Sequence, residues 1–132
     1  MKNKRLRHAA AIGLACALAT VTGTAMAGFY SGYQVGINDT YKFAVGSIAT
    51  TRNTPDTVQY IGCYHNAYTT GASYGNCYAV NNAGVSRTCY TTNANMVDTI
   101  RSIADDSYIY FQWNTDGTCA YILVDKGSRF RP

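Results

Sequence analysis

The sequence predicts a mainly β domain: a small antiparallel β-sandwich or sheet of about seven strands with one amphipathic helix, stapled by disulfides. Three observations predict it. Short runs rich in Tyr, Val, Ile and Thr recur between clusters of Gly, Asn, Asp and Thr, which is the rhythm of an all-β chain. One stretch alone, Met96 to Ala104, switches to helical spacing. Four cysteines, Cys63, Cys77, Cys89 and Cys119, follow the N-terminal segment, an even number in a short chain.

That N-terminal segment, residues 1–27, reads as a Sec signal peptide. Lys2, Lys4, Arg5 and Arg7 form a basic start without acids, an apolar run extends from Ala9 to Val21, and Ala25-Met26-Ala27 supplies the small residues of a cleavage site. The apolar run is shorter than the ~20 residues of a membrane span, so no membrane span is expected. Gly13-Leu14-Ala15-Cys16 lacks the branched apolar residue of a lipidation site. Cleavage leaves residues 28–132 as a single β-rich domain, secreted or periplasmic.

The elements then follow in order. Tyr33 to Ile37 and Tyr41 to Ile48 flank the turn-rich Asn38-Asp39-Thr40 and read as a first hairpin. Thr51 to Thr57, holding Pro55, reads as an exposed loop before a strand from Val58 to Ala67. A loop containing Gly71 leads to a strand from Tyr74 to Val80, and the turn Asn81-Asn82-Ala83-Gly84 leads to another from Val85 to Thr91. These three strands make a meander. Asn95-Met96-Val97-Asp98 has the look of a capping box, and Met96, Val97, Ile100 and Ile103 make one apolar stripe for packing on a sheet. The last hairpin joins Ser107 to Thr115 with Thr118 to Asp125 through Asp116-Gly117, a type I′ signal. Pairing Thr115 with Thr118 sets Ile109, Phe111 and Trp113 with Ala120, Ile122 and Val124 on the core face. Tyr110, Gln112, Asn114, Cys119, Tyr121 and Leu123 fall on the other, mixed face.

Asn81-Asn82-Ala83-Gly84-Val85-Ser86 is similar to the calcium-clamp hexapeptide of βγ-crystallin domains, with Val85 standing where that family has Ser or Thr. The resemblance covers six residues and lacks the family's accompanying aromatic and glycine signature. A hairpin turn accounts for the same residues, and no cofactor is assigned.

Two disulfides are expected, because exported small domains use paired cysteines as staples. Four cysteines allow three connectivities. A turn centred near Thr70 sets Cys63 opposite Cys77 and brings Cys89 beside Cys77, which favours Cys63 with Cys77 and Cys89 with Cys119. The alternation that gathers the sulfurs on one face gathers Tyr60, Tyr64, Tyr74, Tyr78 and Tyr90 on the other. Tyrosine joins a stiff apolar ring to a hydroxyl, which suits sugar stacking or a protein interface. Aromatic cross-strand pairs also stabilise sheets with no ligand at all. Twelve tyrosines against four phenylalanines argue for rings that keep one end wet.

Charge narrows the partners. The net +4 of the full chain comes from the four N-terminal cations. Beyond them Lys42, Arg52, Arg87, Arg101, Lys126, Arg129 and Arg131 balance seven aspartates, so nucleic acid is not an expected partner. No metal is assigned: Cys63 and His65 share a strand face but match no standard zinc spacing. No catalytic residues stand out either. His65 is the one histidine past the N-terminal segment, Asp105-Asp106 reads as a solvated turn, and no Cys-x-x-Cys occurs. The expectation is a non-enzymatic exported module binding an extracellular ligand, carbohydrate, cell-surface component or protein. The alternatives are a structural, self-associating envelope protein and, third, a small hydrolase using His65. If the tyrosines are core, the ligand site moves to the loops at Asn38 to Thr40, Thr51 to Thr57 and Thr69 to Ser73.

Overall fold

Among the described residues seven strands build two antiparallel sheets that share a single core. The structure is a computed structural model and describes residues 29–130; the export signal assigned to residues 1–27 lies outside the described residues. In chain order the elements are β1 (Gly36–Asn38), β2 (Phe43–Ser47), α1 (Ile48–Arg52), β3 (Tyr60–Asn66), β4 (Tyr74–Val80), β5 (Ser86–Thr91), α2 (Ala94–Arg101), β6 (Tyr108–Trp113) and β7 (Cys119–Asp125). One sheet runs β1-β2-β6-β7 and the other β3-β4-β5. The mainly β class, the strand number and the meander are as the sequence predicts.

The core is made by the alternating inward residues of both sheets and the stripe of α2. Ala44, Ile109, Phe111, Cys119 and Ile122 come from one sheet, Ile61, Cys77, Ala79 and Cys89 from the other, and Ile100 from the helix. Two glycines set how closely the layers approach. A methyl at Gly46 would meet Ile61 of the facing sheet at 3.1 Å, and one at Gly75 would overlap Cδ1 of Ile100. Val97 and Ile100 are buried on α2 and Met96 packs at its margin, while α2 stops at Arg101 rather than Ala104, so Ile103 packs against the core from just past the helix end. The helix starts two residues earlier than its spacing suggests, because Asn93, not Asn95, caps it. The Asn93 side chain accepts from the backbone N–H groups of Asn95 and Met96 at 3.0 and 3.3 Å.

Both disulfides close in the favoured pairing, Cys63–Cys77 and Cys89–Cys119. Cys63 lies directly across from Cys77 and Cys77 from Cys89, which is the register the sequence implies. The first bond ties neighbouring strands of one sheet, whereas the second joins β5 to β7 and so links the two sheets. Closed disulfides belong to an oxidising compartment. No helix among the described residues is long and apolar enough to cross a membrane.

Four expectations need correction. Residues 48–52 form a helical turn rather than strand and loop. Ile-Ala-Thr-Thr-Arg has weak helix propensity, and α1 is held by burying Ala49 and Thr51. The first hairpin is shorter than predicted, with Asp39 to Lys42 as its turn; Lys42 takes a left-handed backbone (φ 53°), and Asn38 Oδ1 accepts from Tyr41 N–H at 2.9 Å. The last turn is not type I′, since Gly117 alone has positive φ there. Gly117 N–H donates to Asn114 C=O, which makes a type I turn closed by a glycine bulge. The register therefore slips at the tip: Trp113 pairs with Cys119, Gln112 with Tyr121, and Ala120 is left over and exposed. That one extra residue turns Cys119 from the outer face to the core, where it reaches Cys89. Asn81 Oδ1 accepts from the backbone N–H groups of Ala83 and Val85, so its side chain serves the hairpin turn.

Candidate functional site

The outward face of the β3-β4-β5 sheet is built by the same alternation that buries its sulfurs. Tyr60, Gly62 and Tyr64 stand on β3, Tyr74, Asn76 and Tyr78 on β4, and Thr88 and Tyr90 on β5, all on the side away from Cys63, Cys77 and Cys89. All five tyrosines predicted for this face are on it. They do not form one continuous row.

Tyr60, Tyr78 and Tyr64 do touch, with ring centroids 5.8 and 6.2 Å apart. Gly62 makes this possible. It sits across from Tyr78, whose ring lies over it so closely that a methyl there would come within 2.8 Å of the Tyr78 hydroxyl. Tyr74 stacks instead on Tyr68, at 6.1 Å, and its hydroxyl accepts from the Asn66 amide at 2.7 Å. Tyr90 stands apart beside Asn76 and makes no ring contact among the described residues. Tyr60, Tyr64 and Tyr90 are 52, 46 and 49 % exposed, while Tyr74 and Tyr78 are half-buried.

The face has no charged side chain on its strands. Thr88 donates to Asn76 Oδ1 at 2.8 Å, which leaves the Asn76 amide hydrogens pointing away from that bond. The hydroxyls of Tyr60, Tyr64, Tyr78 and Tyr90 have no hydrogen-bond partner among the described residues. The chemistry on offer is thus flat apolar rings rimmed by neutral donors and acceptors.

The other candidates do not assemble. His65 is exposed on β3 and has no hydrogen-bond or ion-pair partner among the described residues. Cys63 is committed to its disulfide, and among the described residues no three His, Cys, Asp or Glu side chains gather to hold a metal. The loop at Asp56 is locked: its carboxylate accepts from the backbone of Val58 and Gln59 and from the Gln59 amide. These bonds hold its pKa well below the ordinary carboxylate range. Gln59 in turn accepts from the buried Val35 N–H at 2.9 Å, so this corner is structural.

Sequence reasoning passed over a second aromatic face. On the outside of the β1-β2-β6-β7 sheet, Tyr108, Tyr110, Gln112, Tyr121 and Leu123 line an open cleft of about 380 Å³. Four of these five residues, all but Tyr108, were legible as one face of the last hairpin, and the two tyrosines among those four were the available signal. Searches against protein-family models, curated proteins and solved structures return no match to this chain.

Proposed function

We propose that this chain is an exported, non-enzymatic binding domain whose β3-β4-β5 face takes an uncharged, extended carbohydrate outside the cytoplasm. One observation carries the reading: three tyrosine rings, Tyr60, Tyr78 and Tyr64, lie in contact on an outward sheet face, two of them about half exposed and none paired through its hydroxyl among the described residues. A dry core would use phenylalanine, and a face kept only for solubility would carry charge. Ring spacing on the order of one sugar unit lets successive pyranose rings stack, while Asn76 and the tyrosine hydroxyls meet the sugar hydroxyls.

The test is depletion of the purified protein by insoluble cellulose, chitin, starch and bacterial cell-wall polysaccharide, with the Tyr60→Ser/Tyr64→Ser/Tyr78→Ser variant alongside. Wild-type protein should be depleted by at least one polymer and the variant should stay in solution. Equal depletion of both proteins, or of neither, removes this reading. Self-association is separated in the same samples by size-exclusion chromatography. Dimer or larger species that grow with concentration and vanish in the variant would assign the face to assembly instead.

A further inference from the structure

The cleft on the opposite side of the sandwich has the features of a built site. Tyr110 and Leu123 face each other across β6 and β7 and form its floor, with Tyr108 toward one end and Tyr121 with Gln112 toward the other. Its rings are held by neighbouring rings. Tyr110 is stacked on Phe43 at 5.4 Å and met edge-on by Tyr121 at 5.9 Å. Tyr108 is stacked on Phe130 at 5.0 Å, and Tyr33 meets it edge-on at 5.3 Å. Walls fixed in this way lose little freedom when a ligand enters.

The polar groups are equally specific. The Gln112 amide donates to the Tyr110 hydroxyl at 2.7 Å, which frees the tyrosine proton to donate into the cleft. Gln112 Oε1 accepts no hydrogen bond among the described residues, and the hydroxyls of Tyr108 and Tyr121 have no partner there either. Among the described residues no charged side chain lines the cleft. Asp125, across from Tyr108, is held in an ion pair with Arg129. An aromatic floor suits the apolar face of a pyranose ring, and a rim of neutral donors and acceptors suits its hydroxyls. A purely apolar aromatic ligand would leave that rim unpaired. About 380 Å³ is at the small end of ligand sites, which sets the length at one or two rings.

We propose that this cleft is a second binding site, for a neutral mono- or disaccharide, separate from the tyrosine face of the other sheet. The proposal stands on the cleft's own residues and does not depend on the polymer reading above. Its test is an NMR titration of the folded, disulfide-bonded domain with neutral disaccharides covering gluco, galacto, manno and N-acetylglucosamine rings, and with phenol as an aromatic comparator. At least one disaccharide should shift the Gln112 side-chain amide together with backbone amides of β6 and β7. The Leu123→Trp variant, which fills the floor, should lose these shifts. Should that variant not fold, Gln112→Ala takes its place and should weaken binding about fivefold, the loss of one hydrogen bond. The Tyr60→Ser/Tyr64→Ser/Tyr78→Ser variant should keep the shifts, so failure of one site is distinguishable from failure of the other. Shifts from phenol alone, shifts from no disaccharide, or shifts that survive both cleft variants would overturn the proposal.

Discussion

The two disulfides should differ in what they contribute, and the difference follows from where they lie. Cys63–Cys77 spans 14 residues within one sheet, and Cys89–Cys119 spans 30 residues and joins the two sheets. Loop-closure entropy alone assigns about 3.0 kcal/mol to the first and about 3.7 kcal/mol to the second. Burial adds to the gap through one residue: Cys77, Cys89 and Cys119 are 0, 1 and 7 % exposed, so both replacements open a cavity, but Cys63 is only half-buried and the first pair therefore removes less buried volume. The expected cost is therefore about 3 kcal/mol for Cys63→Ala/Cys77→Ala and about 4–5 kcal/mol for Cys89→Ala/Cys119→Ala. In a domain of this size those figures correspond to Tm losses of roughly 15 °C and roughly 20–30 °C. Thermal unfolding of the two double variants by circular dichroism at neutral pH measures both. A sheet-linking variant that melts at or above the temperature of the hairpin variant would refute the reasoning. So would peptide mapping that shows any other pairing.

Three further outcomes are expected. Tyr60 and Tyr64 keep about half their surface in water, so each has buried about 100 Å², worth at most about 2.5 kcal/mol before side-chain freedom is regained. Urea unfolding should give about 1–1.5 kcal/mol for Tyr60→Ser and Tyr64→Ser against about 3–5 kcal/mol for Phe111→Ala; equal costs would mean the ring face is core. Gly75→Ala should cost about 1–3 kcal/mol, because its methyl overlaps Ile100 Cδ1, and Ile100→Val should recover part of that loss in the double variant; strictly additive costs would dismiss the clash. Three carboxylates titrate below their ordinary range: Asp56 through Gln59 and Val58, Asp116 through Thr118, and Asp125 through the Gly127 N–H and Arg129. Because their folded-state pKa values are lowered, their stabilisation is complete above the unfolded value of about 3.9 and is lost as pH falls through the folded values. Tm should stay level from neutral pH down to about 5 and drop below about 4, and a steady decline across pH 7 to 5 would assign acid sensitivity to other groups.

The sequence by itself determined most of the β3-β4-β5 sheet. Its strands follow one another through short turns, so counting outward from each turn sets the register, and a period of two then assigns every side chain to a face. That is why the Cys63–Cys77 bond, the place of Cys89 beside it and the common face of Tyr60, Tyr64, Tyr74, Tyr78 and Tyr90 were legible. Alternation names the faces without saying which one will be covered. The half-exposure of Tyr60 and Tyr64, and the breaking of the row into Tyr60-Tyr78-Tyr64, Tyr68-Tyr74 and an isolated Tyr90, were decided by tertiary packing. So was α1, whose weak propensity is overridden by burial of Ala49 and Thr51. The last hairpin divides between the two levels. Its strands and the Ile109–Val124 and Phe111–Ile122 pairs follow from alternation, but the bulge at Ala120, which carries Cys119 inward to Cys89, belongs to the turn and the disulfide together. The cleft came last, because Tyr108 meets Phe130 and Tyr33, which lie outside the strands, and Tyr110 stacks on Phe43, which the order β1-β2-β6-β7 brings alongside; all three partners are distant in sequence. Local periodicity carries information over a few residues, and contacts of that range are settled only when the whole core closes.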